Sequence, residues 1–464
     1  MRLELRKTNP LELGILILFI IAFGIWLDDF NEFIALSITF YILLKAVYNT
    51  NHYFIFKEWV MFLYALNYLI SPMLAYKFGA EEKVFGMKIE SEEYFSLAIP
   101  GMLFFYLGLN LLKTKVFFVK TTEMQQSTLL NSKFLVGITV FSLLIRIINS
   151  GEYSALNFFL YLISLLRYVS SFSLFALNPS KYWKWPTIIL LIDLYYSLTI
   201  GMYHDFIMWL VFFVIFSFVI IKPTIQIKFI LFSLLFLVVL FFQAIKFAYR
   251  QEAWSGGKQA NLELVAQIGS DKVNTDSIIG VQNLISLLNR GNQAWIFAST
   301  VDNLNRTKDF QGLKNVNKYL EAAILPRFLA PNKIESGSNE IFNEFSGHVI
   351  NDQTSMGLGI FADGYIAYGA WGVYIFGFAL GLIFALTFKL VERWSKISPF
   401  YVLLLLPLLN YAVRPDCELQ TTINHLFKGV LLYGFLVYLT RKRFTLDSQE
   451  NKRKLVHLNL LSSK

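Results

Sequence analysis

The chain has 464 residues, of which 56% are hydrophobic and only 16% are charged. At a mean hydropathy of +0.52 the apolar residues exceed what a soluble core could bury, which excludes a soluble globular protein. The net charge of +9 would suit a nucleic-acid partner, but the cations fall between apolar segments, where the positive-inside bias and anionic lipids account for them. We therefore predict a membrane protein with no nucleic-acid partner.

Twelve apolar segments of spanning length follow one another along the chain. Backbone amides in lipid have no water to bond, so segments of this length satisfy them internally only as helices. The predicted spans are 11–27, 33–48, 59–76, 94–112, 134–149, 156–177, 186–200, 206–221, 229–247, 369–388, 399–413 and 423–439. We therefore expect an all-α polytopic membrane protein.

The lysines and arginines predict the orientation of the spans. They cluster in the alternate connections that share a side with the N-terminus, whereas the opposite short loops are poor in cations. This places both termini in the cytoplasm. The predicted divisions are a bundle of nine spans at 1–248, a large periplasmic loop at 249–355, three spans at 356–440 and a basic cytoplasmic tail at 441–464. The exit of the first span lacks the small residues that signal peptidase requires, so we expect an uncleaved anchor.

Two stretches of the long loop show helical periodicity. One comprises Leu313, Val316, Leu320, Ala323 and Ile324, and the other comprises Ile278, Val281, Ile285 and Leu288. Such amphipathic helices could lie on the outer leaflet, or pack within a small domain formed by the loop itself. Residues 326–333 follow the first of them and read PRFLAPNK, where two prolines favour an extended basic segment.

Ionisable residues in or beside the spans are candidates for function because burying them is costly. Most lie near the predicted outer ends of the spans, namely Arg146, His204, Lys246, Arg250 and Arg414. Lys246 could instead extend its ammonium group to the interface. Arg167 and Asp193 lie deeper on neighbouring spans, which predicts a buried structural pair.

A family resemblance follows from the residues after the loop. Behind the PRFLAPNK segment, residues 354–365 read TSMGLGIFADGY, residues 368–372 read YGAWG, and glycines recur at Gly377 and Gly381. Together with the number of spans and the single long loop, these segments resemble the Wzy-type oligosaccharide repeat unit polymerases of O-antigen, capsule and exopolysaccharide synthesis. One departure is the turn at 201–205, GMYHD, where many of these polymerases and the related ligases carry an arginine.

The resemblance implies a glycosyltransferase of the bacterial inner membrane. A growing glycan would pass from an undecaprenyl pyrophosphate carrier to a new lipid-linked repeat unit at the periplasmic face, with membrane lipids, a flippase and a chain-length regulator as further partners. Such a reaction requires cations at the pyrophosphate and a base at the acceptor hydroxyl. The candidates for pyrophosphate or sugar binding are Arg146, His204, Lys246, Arg250, Arg290, Arg327 and Arg414.

Two residues are candidates for the base. His348 titrates in a suitable range, although a surface histidine is the alternative. Asp363 lies within the family-like motif, and it could instead cap the helix that follows. The motif glycines could allow close approach of a lipid or sugar, or serve helix packing. We name no metal ligand and no cofactor, and metal use stays open at this point. The single cysteine, Cys417, excludes an intramolecular disulfide.

Two other functions stay open at this point. An O-antigen ligase, or another lipid-linked glycosyltransferase, would share the chemistry and differ in its acceptor. A flippase or transporter of lipid-linked oligosaccharide would be expected to have two similar halves around a cavity at the bilayer midplane, whereas the two halves here differ. The sequence contains no Walker loop and no Rossmann fingerprint, so ATP coupling and a nucleotide-sugar donor are not expected.

Overall fold

The structure is a computed structural model that describes residues 29–78, 85–148, 155–250, 252–253, 261–272, 280, 283, 287, 291–325, 334, 337–350 and 355–445. Helices account for most of these residues, and no strand occurs among them. The all-helical prediction is confirmed. The first predicted span, most of the predicted helix at 278–288 and most of the basic tail lie outside the described residues.

The helices are numbered here in chain order. They are α1 (Phe30–Asn49), α2 (Phe56–Phe78, with a π-helical turn at Leu66–Ile70), α3 (Ser91–Leu111), α4 (Thr121–Leu130), α5 (Ser132–Ile148), α6 (Ala155–Ser164), α7 (Leu166–Leu177), α8 (Lys184–Ile200), α9 (His204–Ile221), α10 (Ile225–Arg250), α11 (Leu262–Lys272), α12 (Ala294–Thr307), α13 (Lys314–Ile324), α14 (Asn339–Ser346), α15 (Ile360–Ser395), α16 (Leu405–Leu409) and α17 (Leu419–Phe444). A single turn at Pro179–Tyr182 precedes α8, and a 3-10 helix at Pro399–Leu404 precedes α16.

Eight helical segments of the described residues are long and apolar enough to cross a membrane, and one of them combines α6 and α7 over residues Asn157–Leu177. A ninth results if α4 and α5, which meet at 81°, form one bent span. Helix α8 has 17 residues, about 25 Å in length, which is slightly less than a bilayer core of roughly 30 Å. The predicted span at 399–413 is a shorter helical segment, Pro399–Leu409, whose residues are buried among other helices. The twelve-span topology therefore stays a prediction.

Helices α3 and α15 form the closest packing in the bundle. At Gly377 a Cβ atom would lie 2.6 Å from the carbonyl oxygen of Gly101, and at Gly381 it would lie 2.2 Å from that of Phe105. Small residues let helices in a membrane approach until backbones touch, and dispersion contacts then hold them together. Of the two interpretations of these later glycines, the structure supports helix packing.

We expect Gly381→Ala to lower the stability of the protein by about 1–3 kcal/mol, because the new methyl group meets backbone atoms that cannot move aside. Gly137→Ala is the matched control, since Gly137 also lies within an apolar helix and its Cβ would meet nothing within 4 Å. That control should be neutral or slightly stabilising. Thermal unfolding in detergent measures the stability of both variants. Equal melting temperatures would contradict the close packing of α3 on α15.

Helix α15 starts nine residues before the predicted span and contains a break. The segment Ile360–Ser395 is helical except at Tyr368 and Gly369, where Gly369 has a φ of +58° that glycine tolerates. The loop before α13 occupies this break, because the backbone amides of Gln311 and Gly312 donate to the carbonyls of Ile366 and Ala367. The long loop is thereby fixed to the beginning of α15.

Helix α13 confirms one predicted amphipathic helix but differs in its buried face. Asn315, Tyr319, Ala322 and Ala323 are buried, and the helix packs on α17. The apolar stripe of Leu313, Leu320 and Ile324 is exposed instead. The burial of Tyr319 supports packing within the protein for one face, while the exposed stripe leaves contact with a membrane surface open.

Arg167 and Asp193 form the predicted buried pair between α7 and α8. Their Nη2 and Oδ1 atoms are 2.9 Å apart, and both side chains are less than a tenth exposed. The Arg167 Nη1 also donates to the Ser164 carbonyl at 2.7 Å, and the Tyr168 hydroxyl donates to Asp193 Oδ2. Hydrogen bonds to both partners are the condition under which a buried ion pair is tolerated.

Candidate functional site

Charged residues from the start of α9, the end of α10 and the turn between α16 and α17 meet at one end of the bundle. Arg414, in the turn between α16 and α17, contacts Asp416 through Nη2 at 2.7 Å and Nε at 3.2 Å. Its Nη1 lies 3.8 Å from Asp205 Oδ1 in the first turn of α9. His204 lies within electrostatic reach of Arg414, Asp205, Asp416 and Lys246. We call this group, together with Arg250, the charged cluster.

Arg250 joins the charged cluster through the turn at 201–205. At the end of α10, its Nε donates to the carbonyl of Gly201 at 3.1 Å. Gly201 has a φ of +72° and ends α8, so the short turn brings α8, α9 and α10 together. This is the turn that lacks the arginine carried by many of the polymerases that the chain resembles. Arg250 and Arg414 approach it from other parts of the chain.

The charged cluster is accessible from outside the bundle. Half or nearly half of the Asp205 and Asp416 side chains is exposed, as is about a fifth of Arg414. Desolvation favours the protonated form of Asp416, but the neighbouring Arg414 guanidinium outweighs it and lowers the pKa of Asp416 to about 2. The charged cluster therefore combines an ionised Asp416 and Asp205 with the cations Arg414, Lys246 and Arg250.

The family-like motif packs against the turn that carries Arg414. A Cβ atom at Gly357 would lie 2.4 Å from the Asp416 carbonyl oxygen, and one at Gly359 would lie 3.1 Å from that of Pro415. Gln293, immediately before α12, donates to the carbonyls of Gly357 and Leu358, both at 3.0 Å. These contacts fix the motif between α12 and the charged cluster.

Asp363 is buried below this turn. Only 4% of it is exposed, its Oδ2 accepts from the Leu419 amide at 2.9 Å, and its Oδ1 accepts from the Tyr319 hydroxyl at 3.4 Å. Burial and the neighbouring carboxylate raise the pKa of Tyr319, so the phenol stays a donor. Of our two interpretations the geometry favours helix capping, although the capped helix is α17 and not the helix that contains Asp363.

His348 lies on the side of α12, apart from the charged cluster. Its Nε2 is 3.0 Å from the buried Ser299 Oγ, and its ring packs edge-on to Trp295 at 5.3 Å. Desolvation, and then the charge of Lys88, lower the pKa of His348. The imidazole is therefore neutral at neutral pH, and among the described residues Nδ1 has no hydrogen-bond partner. A neutral, partly exposed imidazole can accept a proton.

The other predicted residues are distributed as follows. Arg146 lies on α5, away from the carboxylates, with its guanidinium carbon 4.9 Å from the centre of the Tyr196 ring. Arg290 and Arg327 lie outside the described residues. The structure describes Leu325 and Ile334, which flank the PRFLAPNK segment. Leu325 directly follows α13, which packs on α17, and the Ile334 carbonyl accepts a hydrogen bond from the Gln420 side chain. Both flanks of the basic segment are therefore placed beside α17.

Several residues of the site were absent from the sequence prediction. Three of them bind a motif or candidate residue that is 44 to 65 positions away in sequence. Gln293 binds the motif at Leu358, Ser299 binds His348, and Tyr319 binds Asp363. Polar residues of this kind carry no local signal, because an amphipathic helix exposes many of them. In the part of the chain that the structure describes, no three His, Cys, Asp or Glu side chains converge as a metal site requires.

The fold and the charged cluster define a helical protein with apolar helices that could span a membrane, and with a polar site at one end of them. Residues 54–395 match the family described as a domain of unknown function (DUF8712), and the chain belongs to that family. No curated protein and no solved structure matches the chain.

Proposed function

We propose that this protein polymerises undecaprenyl pyrophosphate-linked oligosaccharide repeat units at the outer face of the bacterial inner membrane. In this proposal the bundle has twelve spans, both termini are cytoplasmic, and the loop at 249–355 is periplasmic. The products are O-antigen, capsule or exopolysaccharide chains. The observation that carries the proposal is the charged cluster, where three cations and a histidine meet beside the long loop.

The charged cluster suits the leaving group of this reaction. The acceptor sugar hydroxyl attacks the anomeric carbon of the donor glycan, the bond from that carbon to the pyrophosphate oxygen breaks, and undecaprenyl pyrophosphate leaves with the electron pair. Arg414, Lys246 and Arg250 stabilise the negative charge that develops on this group. Arg414 provides a planar fork of donors that can bind two phosphate oxygens at once, if it exchanges Asp416 for the ligand.

His348 has the properties of the base that takes the proton of the acceptor hydroxyl. It is attached to α12, whose N-terminal neighbour Gln293 holds the motif at Gly357 against the Asp416 turn. Ser299 lies six residues along α12 from Gln293, roughly 9 Å. The base and the charged cluster thus belong to one connected structure.

The distribution of cations supports the proposed orientation. The opposite end of the bundle contains Lys389, which pairs with Glu392, and Arg443, which donates to Asn131. Arg441 lies over the Tyr438 ring at the same end. Under the positive-inside rule this end faces the cytoplasm, so the charged cluster faces the periplasm.

The glycan ladder of a cell tests the proposal. We expect deletion of the gene to leave glycans of a single repeat unit, and the wild-type gene to restore a ladder. Long polymer that forms but stays on the carrier lipid in the deletion strain would favour the ligase. Lipid-linked single units that accumulate on the cytoplasmic face would favour the flippase. Immunoblots of membranes establish that each variant is present.

The lowered pKa of His348 predicts the pH profile of polymerisation. Because the imidazole is neutral above its pKa, and this pKa lies below the usual 6.5, the rate should be constant from pH 8 down to pH 6.5 and decline only at lower pH. His348→Gln should reduce the rate by about 100-fold or more and remove the acidic limb. A variant that keeps both the rate and the limb would exclude His348 as the base. His52→Gln, at the opposite end of the bundle, is the control.

A further inference from the structure

A groove on the outside of the bundle lies next to Arg146. It lies between α5 and α8 and holds about 390 Å³, within the range of roughly 300–1,000 Å³ that is typical of ligand sites. Its walls are Ile147, Ile188, Leu191, Ile192, Tyr195 and Tyr196. Apart from the two tyrosine hydroxyls these side chains are apolar, so the groove suits a hydrocarbon chain.

The groove follows one helix toward the charged cluster. Ile188 and Tyr196 are eight residues apart on α8, which is roughly 12 Å along the helix. Tyr196 lies five residues before Gly201, roughly 7.5 Å further, and Gly201 accepts the hydrogen bond of Arg250. A chain in the groove would therefore have its head at Arg146, beside Tyr196, and its tail toward the middle of the bundle.

Arg146 lies beside Tyr196, at the end of the groove that is nearer to Gly201. It is half-buried in the last turn of α5, and its guanidinium lies over the ring of Tyr196, which is itself a wall of the groove. No carboxylate of the described residues lies within 4 Å of Arg146. An arginine on a membrane helix without such a partner retains its capacity for charge-assisted hydrogen bonds to an anion.

We propose that this groove binds the polyprenyl chain of the carrier lipid, with Arg146 on its pyrophosphate. The proposal rests on the proposed function, because it assigns a seat to the carrier of that reaction. Charge favours this occupant over a bulk phospholipid, because a pyrophosphate has more negative charge than a phosphodiester and would bind the Arg146 guanidinium at the end of the groove more strongly.

The experiment is photolabelling of the full-length protein in lipid nanodiscs with a benzophenone-bearing polyprenyl pyrophosphate. We expect the label on peptides that contain residues 147 and 188–196. Undecaprenyl pyrophosphate should compete for labelling, and phosphatidylglycerol at the same concentration should not. Equal competition by phosphatidylglycerol would identify ordinary lipid as the occupant and overturn the proposal. A label confined to other helices, or a groove covered by a second copy of the chain, would also overturn it.

Two variants and two matched controls make the result specific. Arg146→Ala and Leu191→Trp should each reduce labelling at least tenfold, one by removing the cation and the other by filling the groove. Arg441→Ala removes another arginine that lies over a tyrosine ring, and Leu237→Trp enlarges another exposed leucine of a membrane helix; both should label as the wild type does. Arg146→Lys, which keeps the charge, should recover part of the labelling. Unchanged labelling of Leu191→Trp would overturn the proposal even if Arg146→Ala failed to fold.

The two proposals fail separately in this design. Specific labelling of the groove in a protein that does not polymerise would keep the lipid site and reject the proposed function. Polymerisation by Leu191→Trp at the wild-type rate, with no label in the groove, would keep the function and reject the site.

Discussion

Replacement of Arg414 by alanine is expected to reduce polymerisation about 100-fold or more, the loss that is typical when a donor to a developing anion is removed. The reason is electrostatic. Without the guanidinium, the carboxylates of Asp416 and Asp205 would lose the cation that pairs with both of them and would repel the pyrophosphate. Arg414→Lys should recover only part of the activity, because an ammonium group retains the charge but not the planar fork.

Arg441→Ala is the control for Arg414→Ala, since Arg441 lies at the opposite end of the bundle. It should leave the rate unchanged. The contacts of Arg414 are local, to a residue two positions away and to an exposed aspartate, so its removal should leave the melting temperature within a few degrees of the wild type. Full polymerase activity in folded Arg414→Ala would exclude the charged cluster as the pyrophosphate site.

Replacement of Asp193 by alanine is expected to destabilise the protein by about 3–5 kcal/mol, because it leaves the buried Arg167 guanidinium without its counter-charge. The Tyr168 hydroxyl loses its acceptor as well, and Tyr168 stacks on Trp209 with ring centres 3.6 Å apart. The disturbance would therefore extend from α8 through α7 to α9.

The exposed pair of Asp302 and Arg306 provides the matched control for Asp193. Its atoms are 2.8 Å apart, nearly the same separation as in the buried pair, but the Arg306 side chain is largely exposed. Asp302→Ala should cost about 1 kcal/mol or less because water screens the pair. Thermal unfolding in detergent compares the two variants. Equal losses of stability would show that burial does not determine the strength of the Arg167 pair.

The sequence predicted the features that depend on composition along one helix. Apolar runs of spanning length became helices, and the deep positions of Arg167 and Asp193 on adjacent spans predicted their pairing. The costly ionisable residues near the span ends also indicated a cluster, and the structure brings His204, Lys246, Arg250 and Arg414 to one end of the bundle.

Features that depend on contacts between distant segments could not be predicted. The position of Asp363 in a glycine-rich motif suggested a base or a cap for its own helix, yet the carboxylate binds the amide of Leu419, 56 residues later. The groove beside Arg146 was also missed, because its apolar walls resemble any lipid-facing surface until α5 and α8 are placed side by side. The helix also departs from the predicted span where hydrogen bonds from a loop replace helical ones, as at the break formed by Tyr368 and Gly369.

Reconstitution of the purified protein in liposomes tests the central claim most directly. The liposomes would contain undecaprenyl pyrophosphate-linked repeat units and neither ATP nor a nucleotide sugar. The account predicts a ladder of lipid-linked products of two or more repeat units, with one undecaprenyl pyrophosphate released for each bond formed, and its loss in Arg414→Ala. Repeat units that stay single, or that only cross the bilayer, in the presence of folded protein would contradict it.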